Sequence, residues 1–190
     1  YGLWGMDSID GVIYAAVTDA SSPALARITE GGEVDMIQRQ ASGTFSTWNA
    51  AVDSDGQLQM VGENNISGTP NGHINNVDID FSLDIGMRHT GSTTSDEIIY
   101  YGVACGTGAT YTGGHIEYTT MKPVMVKFDN SAAKQWQRYV SSHDGEIRSC
   151  GVDSSGNPIF IGYADYTPEK GIILKYNSSG AIQWQRQLGH

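Results

Sequence analysis

The residues able to do chemistry in this chain are thinly spread. Asp53-Ser54-Asp55-Gly56 offers oxygen ligands at alternate positions, as the start of a calcium loop does. A third acidic ligand and a distal Glu are missing, and the related Asp153-Ser154-Ser155-Gly156 has one acid fewer. Both stretches are read as structural turns. The five histidines, His73, His89, His115, His143 and His190, contain no pair at metal-ligand spacing and are read as loop or surface residues. His143-Asp144 and the many serines suit a hydrolytic set, but no Gly-x-Ser-x-Gly elbow accompanies them. Carboxylates abound, and spacing alone singles out no glycosidase pair among them. Cys105 and Cys150 are too few for a disulfide framework or a zinc cluster, and are read as two unpaired, half-buried thiols. Asn65-Ile66-Ser67 and Asn177-Ser178-Ser179 match the glycosylation sequon. No catalytic, metal or cofactor residue follows from these patterns, and the chain is expected not to be an enzyme.

Charge narrows the partners. The 190 residues carry 11 Lys and Arg against 21 Asp and Glu, a formal net charge of −10. A phosphate backbone or an anionic membrane surface is repelled by such a chain, so nucleic acid is not an expected partner. No apolar run is long enough to cross a bilayer. The length suits one domain or part of a larger one. The chain opens at Tyr1 without a signal-like stretch, which raises the expectation that it was trimmed or cut from a longer polypeptide.

The elements that must carry these residues come in repeats. Lys175-Tyr176-Asn177-Ser178-Ser179-Gly180-Ala181-Ile182-Gln183-Trp184-Gln185-Arg186 reads as strand, tight turn and strand. Lys127 to Arg138 repeats it, down to Gln-Trp-Gln-Arg, with Trp136 in the place of Trp184. Leu25 to Met36 is a weaker copy, with Met36 at the Trp position. A second marker runs from Gly151 to Gly162, a strand end, an Asp-containing turn at Asp153, and a strand that stops at Gly162. Val52 to Gly62 repeats it with Asp53 at the turn, Gly102 to Gly113 repeats it without the Asp, and Asp7 to Tyr14 is a fourth copy.

Four units follow, about 1–43, 44–93, 94–142 and 143–190, each of two hairpins. In the last unit the strands are placed at Glu146–Val152, Pro158–Tyr163, Gly171–Tyr176 and Ala181–Leu188. An all-β chain of four-stranded antiparallel units at this period is the signature of β-propeller blades. In the second unit Val77 to Ile85 alternates as one half-buried strand, and an irregular outer hairpin is expected there. Glu63–His73 and Gly114–Met121 are read as loops on one face of the disc. The structural residues are Trp136 and Trp184, filling the wedge between blades, with Gly62, Gly113, Gly162, Gly180, Asp53 and Asp153 at strand ends and turns. Four blades leave no strand to lace the ring shut, so a longer chain or a second copy is expected to complete it.

These markers resemble the bacterial and phage β-propeller repeats (SBBP-like) typified by Lys-Tyr-(Asn/Asp)-Ser-Ser-Gly-x-x-x-Trp and Ala-Val-Asp-Ser-Ser-Gly-Asn-x-Tyr-Val-x-Gly. The third and fourth units match well, the first weakly, and the second in one half. The resemblance implies a structural and interaction module of a phage tail fibre or surface appendage, at the virion surface or outside the cell. It would contact other subunits of an assembly or a host-surface receptor, with a homo-oligomer as a further expectation. The alternative is a secreted bacterial propeller that binds sugar or acts as an enzyme at its central axis. A distant likeness to quinoprotein repeats implies a quinone, but no basic and polar ring is present to hold one, so no cofactor is expected.

Overall fold

The computed structural model describes residues 2–19, 22–39, 45–53, 57–66, 69–78, 84–89, 97–117, 119–166 and 168–189. They form sixteen strands in four antiparallel sheets, each in simple up-and-down order. The first blade is β1 (Gly2–Ile9), β2 (Val12–Asp19), β3 (Ser22–Ile28) and β4 (Val34–Arg39). The second is β5 (Phe45–Val52), β6 (Gln57–Ile66), β7 (Thr69–Asp78) and β8 (Asp84–His89). The third is β9 (Glu97–Gly106), β10 (Ala109–Glu117), β11 (Met121–Asp129) and β12 (Lys134–Tyr139). The fourth is β13 (Gly145–Val152), β14 (Pro158–Tyr166), β15 (Glu169–Tyr176) and β16 (Ile182–Leu188). There is no helix among the described residues. The chain is all-β, with the architecture of a propeller.

The first strands stand side by side around the axis, β1 next to β5, β5 next to β9 and β9 next to β13. Among the described residues β13 and β1 share no comparable contact, so the four blades form an open arc. The core lies in the seams between blades, because no blade can bury both of its faces alone. Tyr14, Leu25, Leu58 and Met60 fill the first seam. Ile74, Tyr100, Ile116 and Phe128 fill the second. Tyr111, Met125, Trp136, Phe160 and Tyr176 fill the third. Strand β10, sandwiched between blades, is buried at eight successive positions, whereas β16 is exposed along its whole length.

Local chemistry accounts for the hairpins. Asp153 Oδ1 accepts the N–H groups of Ser155 and Asn157, both at 2.9 Å, and so ties the β13–β14 turn. Asn177 Oδ1 does the same for Ser179 and Ala181, and Asp53 Oδ1 accepts from Gln57 N–H at 2.8 Å.

Several expectations are corrected. Val77 and Ile85 do not share a strand, because Val77 pairs with Asp84 across β7 and β8; residues 79–83 lie outside the described ones. The outer hairpin of the second blade is a regular ladder, not an irregular one. Glu63–His73 and Gly114–Met121 are mostly strand, since the polar residues there satisfy their backbone groups by pairing. Gly62 and Gly162 do not end their strands either. They lie within β6 and β14, opposite an irregularity in the inner strand.

Candidate functional site

That irregularity recurs in every blade. The inner-strand register slips by one residue between Leu3 and Gly5, Thr47 and Asn49, Tyr100 and Gly102, and Ile147 and Ser149. The extra residues are Trp4, Trp48, Tyr101 and Arg148, at equivalent register positions of the four inner strands. A one-residue bulge re-aims the side chain it carries. The side chains of Trp4 and Trp48 lie outside the described residues; those of Tyr101 and Arg148 are described.

Glycine makes room for the bulges. A Cβ on Gly162 would collide with the Glu146 carbonyl oxygen, and one on Gly114 with the Ile99 carbonyl oxygen. The counterpart of Gly162 in the third blade is therefore Gly114. Gly113, one residue earlier, faces Ile147 of the next blade instead.

Beside the third and fourth bulges lies a polar cluster shared between two blades. Glu146 on β13 is buried, and so is His115 on β10, whose Nδ1 lies 3.1 Å from Glu146 Oε2. Arg148, exposed beyond the bulge, makes an ion pair with Glu146 Oε1. Its guanidinium sits 4.8 Å from the ring centroid of Tyr101 and 5.8 Å from that of Tyr163. The Tyr101 and His115 rings are 5.7 Å apart. Ile147 packs into the seam, while Glu146 beside it reaches His115 of the third blade, and the unpaired bulge residue Arg148 lies over Glu146.

Electrostatics sharpen the cluster. Burial alone pushes the Glu146 carboxyl up, but hydrogen bonds from His115 and Tyr163 and the charge of Arg148 outweigh it, and the group titrates below its ordinary value. With Glu146 held as a carboxylate, His115 Nδ1 is the ring nitrogen that donates. Burial, reinforced by the Glu146 charge, pushes the Tyr101 hydroxyl up to about 12; Arg148 opposes this and Glu63 of the second blade adds to it. The second and fourth blades therefore both contribute charge around Tyr101 of the third.

His115 was expected on a loop or at the surface. It is instead a buried strand residue, because Glu146 compensates the burial of its polar ring. His143 and Asp144 do not form a set. His143 Nδ1 pairs with Asp165 at 2.9 Å, while Asp144 accepts from Lys122 and Thr120. Strands β7 and β8 contain His73 and His89, and His190 lies outside the described residues. Among the described residues no cluster of His, Cys, Asp or Glu is arranged to hold a metal.

The residues singled out from sequence gather elsewhere. Trp136 stands in the seam between the third and fourth blades, 9% exposed, with its Nε1–H donating to Ser178 O at 3.1 Å. Gly180 lies under its ring. Trp184, expected to fill a wedge, is on the outermost strand of the last blade and 37% exposed. Asp153 pairs with Lys175 at 2.6 Å, and Asp53 is buried in its turn. Cys105 and Cys150 are unpaired. None of these marks the Tyr101–Glu146 cluster. Its sequence signal is Gly162, which was read as the end of a strand, and Gly114, which was read as the start of a loop while Gly113 was taken as the strand end.

No protein-family model matches the chain, and no curated protein matches it. Among solved structures it is similar to Kuenenia stuttgartiensis hydrazine synthase, with a TM-score of 0.67, 14% identity and 98% of this chain aligned to 49% of that one. A subtype N11 neuraminidase-like protein of the bat virus A/flat-faced bat/Peru/033/2010 (H18N11) gives 0.58, at 12% identity over 94% of this chain and 50% of that one. An endo-1,4-beta-xylanase from Bacteroides thetaiotaomicron gives 0.57, at 11% identity over 99% and 77%. The chain spans about half the length of the first two. At these identities the likeness is one of fold. It nonetheless corrects the expectation of a non-enzyme, because a xylanase is built on this architecture, and being a propeller is no ground for excluding catalysis. The phage tail-fibre resemblance gains no support from these comparisons; the propeller does.

Proposed function

We propose that the chain is a carbohydrate-engaging propeller, binding or hydrolysing a saccharide at the axial end where the inner strands bulge. The observation that carries this reading is the stacked set Tyr101, Arg148 and Glu146 at the seam of the third and fourth blades. Sugars present a C–H face to an aromatic ring and hydroxyls at their edge. Tyr101 offers the ring, and exposed Arg148, held in place by buried Glu146, offers charged hydrogen-bonding groups beside it. A few convergent polar groups against an aromatic wall are the usual make-up of a small-molecule site. The glycan-active enzyme among the structures of similar fold adds to the reading.

The protonation states divide the roles. Glu146 is a buried carboxylate whose two oxygens are engaged by His115 and Arg148, suited to electrostatic stabilisation of a developing oxocarbenium ion and not to direct attack or proton donation. A second carboxylate is required for hydrolysis, and Glu63, whose charge reaches Tyr101, is the candidate from the second blade. Screening the chain on a glycan array and on a panel of nitrophenyl glycosides tests the reading. Binding to one saccharide class, weakened at least tenfold in Tyr101→Ala and Arg148→Met, is expected. A folded chain that binds and cleaves none of them, or variants that bind as tightly as the parent, overturns it.

A further inference from the structure

The joint between the third and fourth blades is built from two parts. The third blade supplies a clamp. Trp136 Nε1–H donates to Ser178 O, Arg138 Nε–H donates to Gly180 O at 2.9 Å, and Arg138 lies 5.8 Å from the Trp136 ring centroid. The fourth blade supplies the receiving turn, Asn177 to Ala181. It is closed by Asn177 N–H to Ala181 O and Gly180 N–H to Asn177 O, with Gly180 at φ +81°. A Cβ on Gly180 would come within 3.0 Å of the indole.

Among the described residues the clamp occurs once more, in the fourth blade, and the turn recurs in the outer hairpins of the third blade (Asp129–Ala133) and the first (Thr29–Glu33); the fourth-blade clamp and the first-blade turn are uncovered by other described residues. The fourth blade repeats the clamp. Trp184 pairs with Lys175 as Trp136 pairs with Lys127, Arg186 lies 6.0 Å from the Trp184 centroid, and Arg186 and Arg138 each donate back to the preceding Gln carbonyl at 2.8 Å. Here the indole is exposed, as are Ile182 and Leu188. The first blade repeats the turn. Thr29 N–H donates to Glu33 O at 2.9 Å, Gly32 N–H donates to Thr29 O at 2.8 Å, Thr29 Oγ1 accepts from Glu33 N–H, and Gly32 stands at φ +81°. Among the described residues no atom lies within 4 Å of a Cβ built on Gly32.

We infer that the Trp184–Arg186 clamp of one chain seats on the Thr29–Glu33 turn of a second copy, and that the reciprocal contact closes a two-chain ring of eight blades. Three things argue for this occupant. The contact continues an interface already made within the chain, with the same donors and the carbonyls of Glu30 and Gly32 in place of those of Ser178 and Gly180. Glu30 and Glu33 flank the turn and complement Arg186, in a chain whose charge is otherwise strongly negative. Eight blades is within the range that propellers close with, and two head-to-tail joints leave neither end blade uncovered.

The test is the mass in solution, with a crosslink to identify the seat. Light scattering of the chain at micromolar concentration is expected to give twice the single-chain mass, and Trp184→Ala to halve it while the thermal melt remains cooperative. A benzoylphenylalanine placed at Ile182, in a mixture of heavy- and light-isotope copies, is expected to crosslink to the peptide containing Thr29–Glu33 of the other isotope. A single-chain mass at every concentration overturns the inference. So does a crosslink confined to the same copy, or one that lands on another surface.

Discussion

Trp136 of the third blade and Gly180 of the fourth are in contact across a seam, with the glycine at φ +81° directly beneath the indole. Two demands meet at this position. The turn requires a left-handed residue, and the ring leaves no room for a side chain. Elsewhere the two demands separate: Gly156 has φ +77° and nothing within 4 Å of its Cβ position.

The pair therefore allows a subtraction. Gly156→Ala is expected to cost about 1–2 kcal/mol, the left-handed strain alone. Gly180→Ala is expected to cost measurably more, because the indole must also shift. Urea denaturation of the two variants checks this, and equal losses would show that the seam yields to an added methyl.

Trp136→Ala removes a large buried ring and one indole hydrogen bond, and is expected to cost about 3–5 kcal/mol. Trp136→Phe retains most of the ring and leaves the Ser178 carbonyl with the Lys127 ammonium as its remaining donor, for a loss of about 1 kcal/mol or less. The same substitutions at exposed Trp184 are expected to change single-chain stability far less. A loss at Trp184 equal to that at Trp136, measured on the dissociated chain, contradicts the packing described.

Part of the acid sensitivity should trace to Glu146, beside the turn carboxylates Asp129, Asp144 and Asp153, which are also held below their ordinary values. The folded pKa of Glu146 lies below the unfolded glutamate value of about 4.3. The unfolded chain therefore binds the proton first, so the stabilisation is complete above that value and is lost as pH falls through the folded pKa. Stability measured from pH 6 down to pH 3 should fall in the parent chain and fall less steeply in Glu146→Gln, which starts lower. Parallel curves would exclude Glu146 as one of the titrating groups.

Both thiols should be slow nucleophiles. Burial pushes Cys105 far above the usual thiol range, helped by Asp53, and burial alone does so for Cys150. At pH 8 a disulfide reagent such as DTNB is expected to label neither quickly in the folded chain and both in denaturant. Rapid labelling of either cysteine without denaturant would show that its seam opens.

What the sequence determined by itself is local. The Asp, Asn or Thr that opens most of the turns, the Gly that usually takes the left-handed position and the alternating strands on either side interact over a handful of residues. Hairpins, strand order and the four-stranded unit could therefore be counted from spacing. The same information misplaced Gly162 as the end of a strand, because nothing near it announces the bulge opposite. Val77 to Ile85 reads as one strand because alternation cannot show that the chain turns back.

Only the tertiary structure decided the rest. His115 and Glu146 are 31 positions apart and belong to different blades, and they meet because neighbouring sheets stack face to face. The one extra residue in β13 is Arg148 itself, left out of the ladder with β14, and its guanidinium pairs with Glu146 and lies over Tyr101 of the neighbouring blade. Trp136 and Trp184 stand in the same short phrase of sequence, yet one is buried and the other exposed. The difference is the blade that follows Trp136, because burial in a propeller belongs to the seam between units and not to the unit itself.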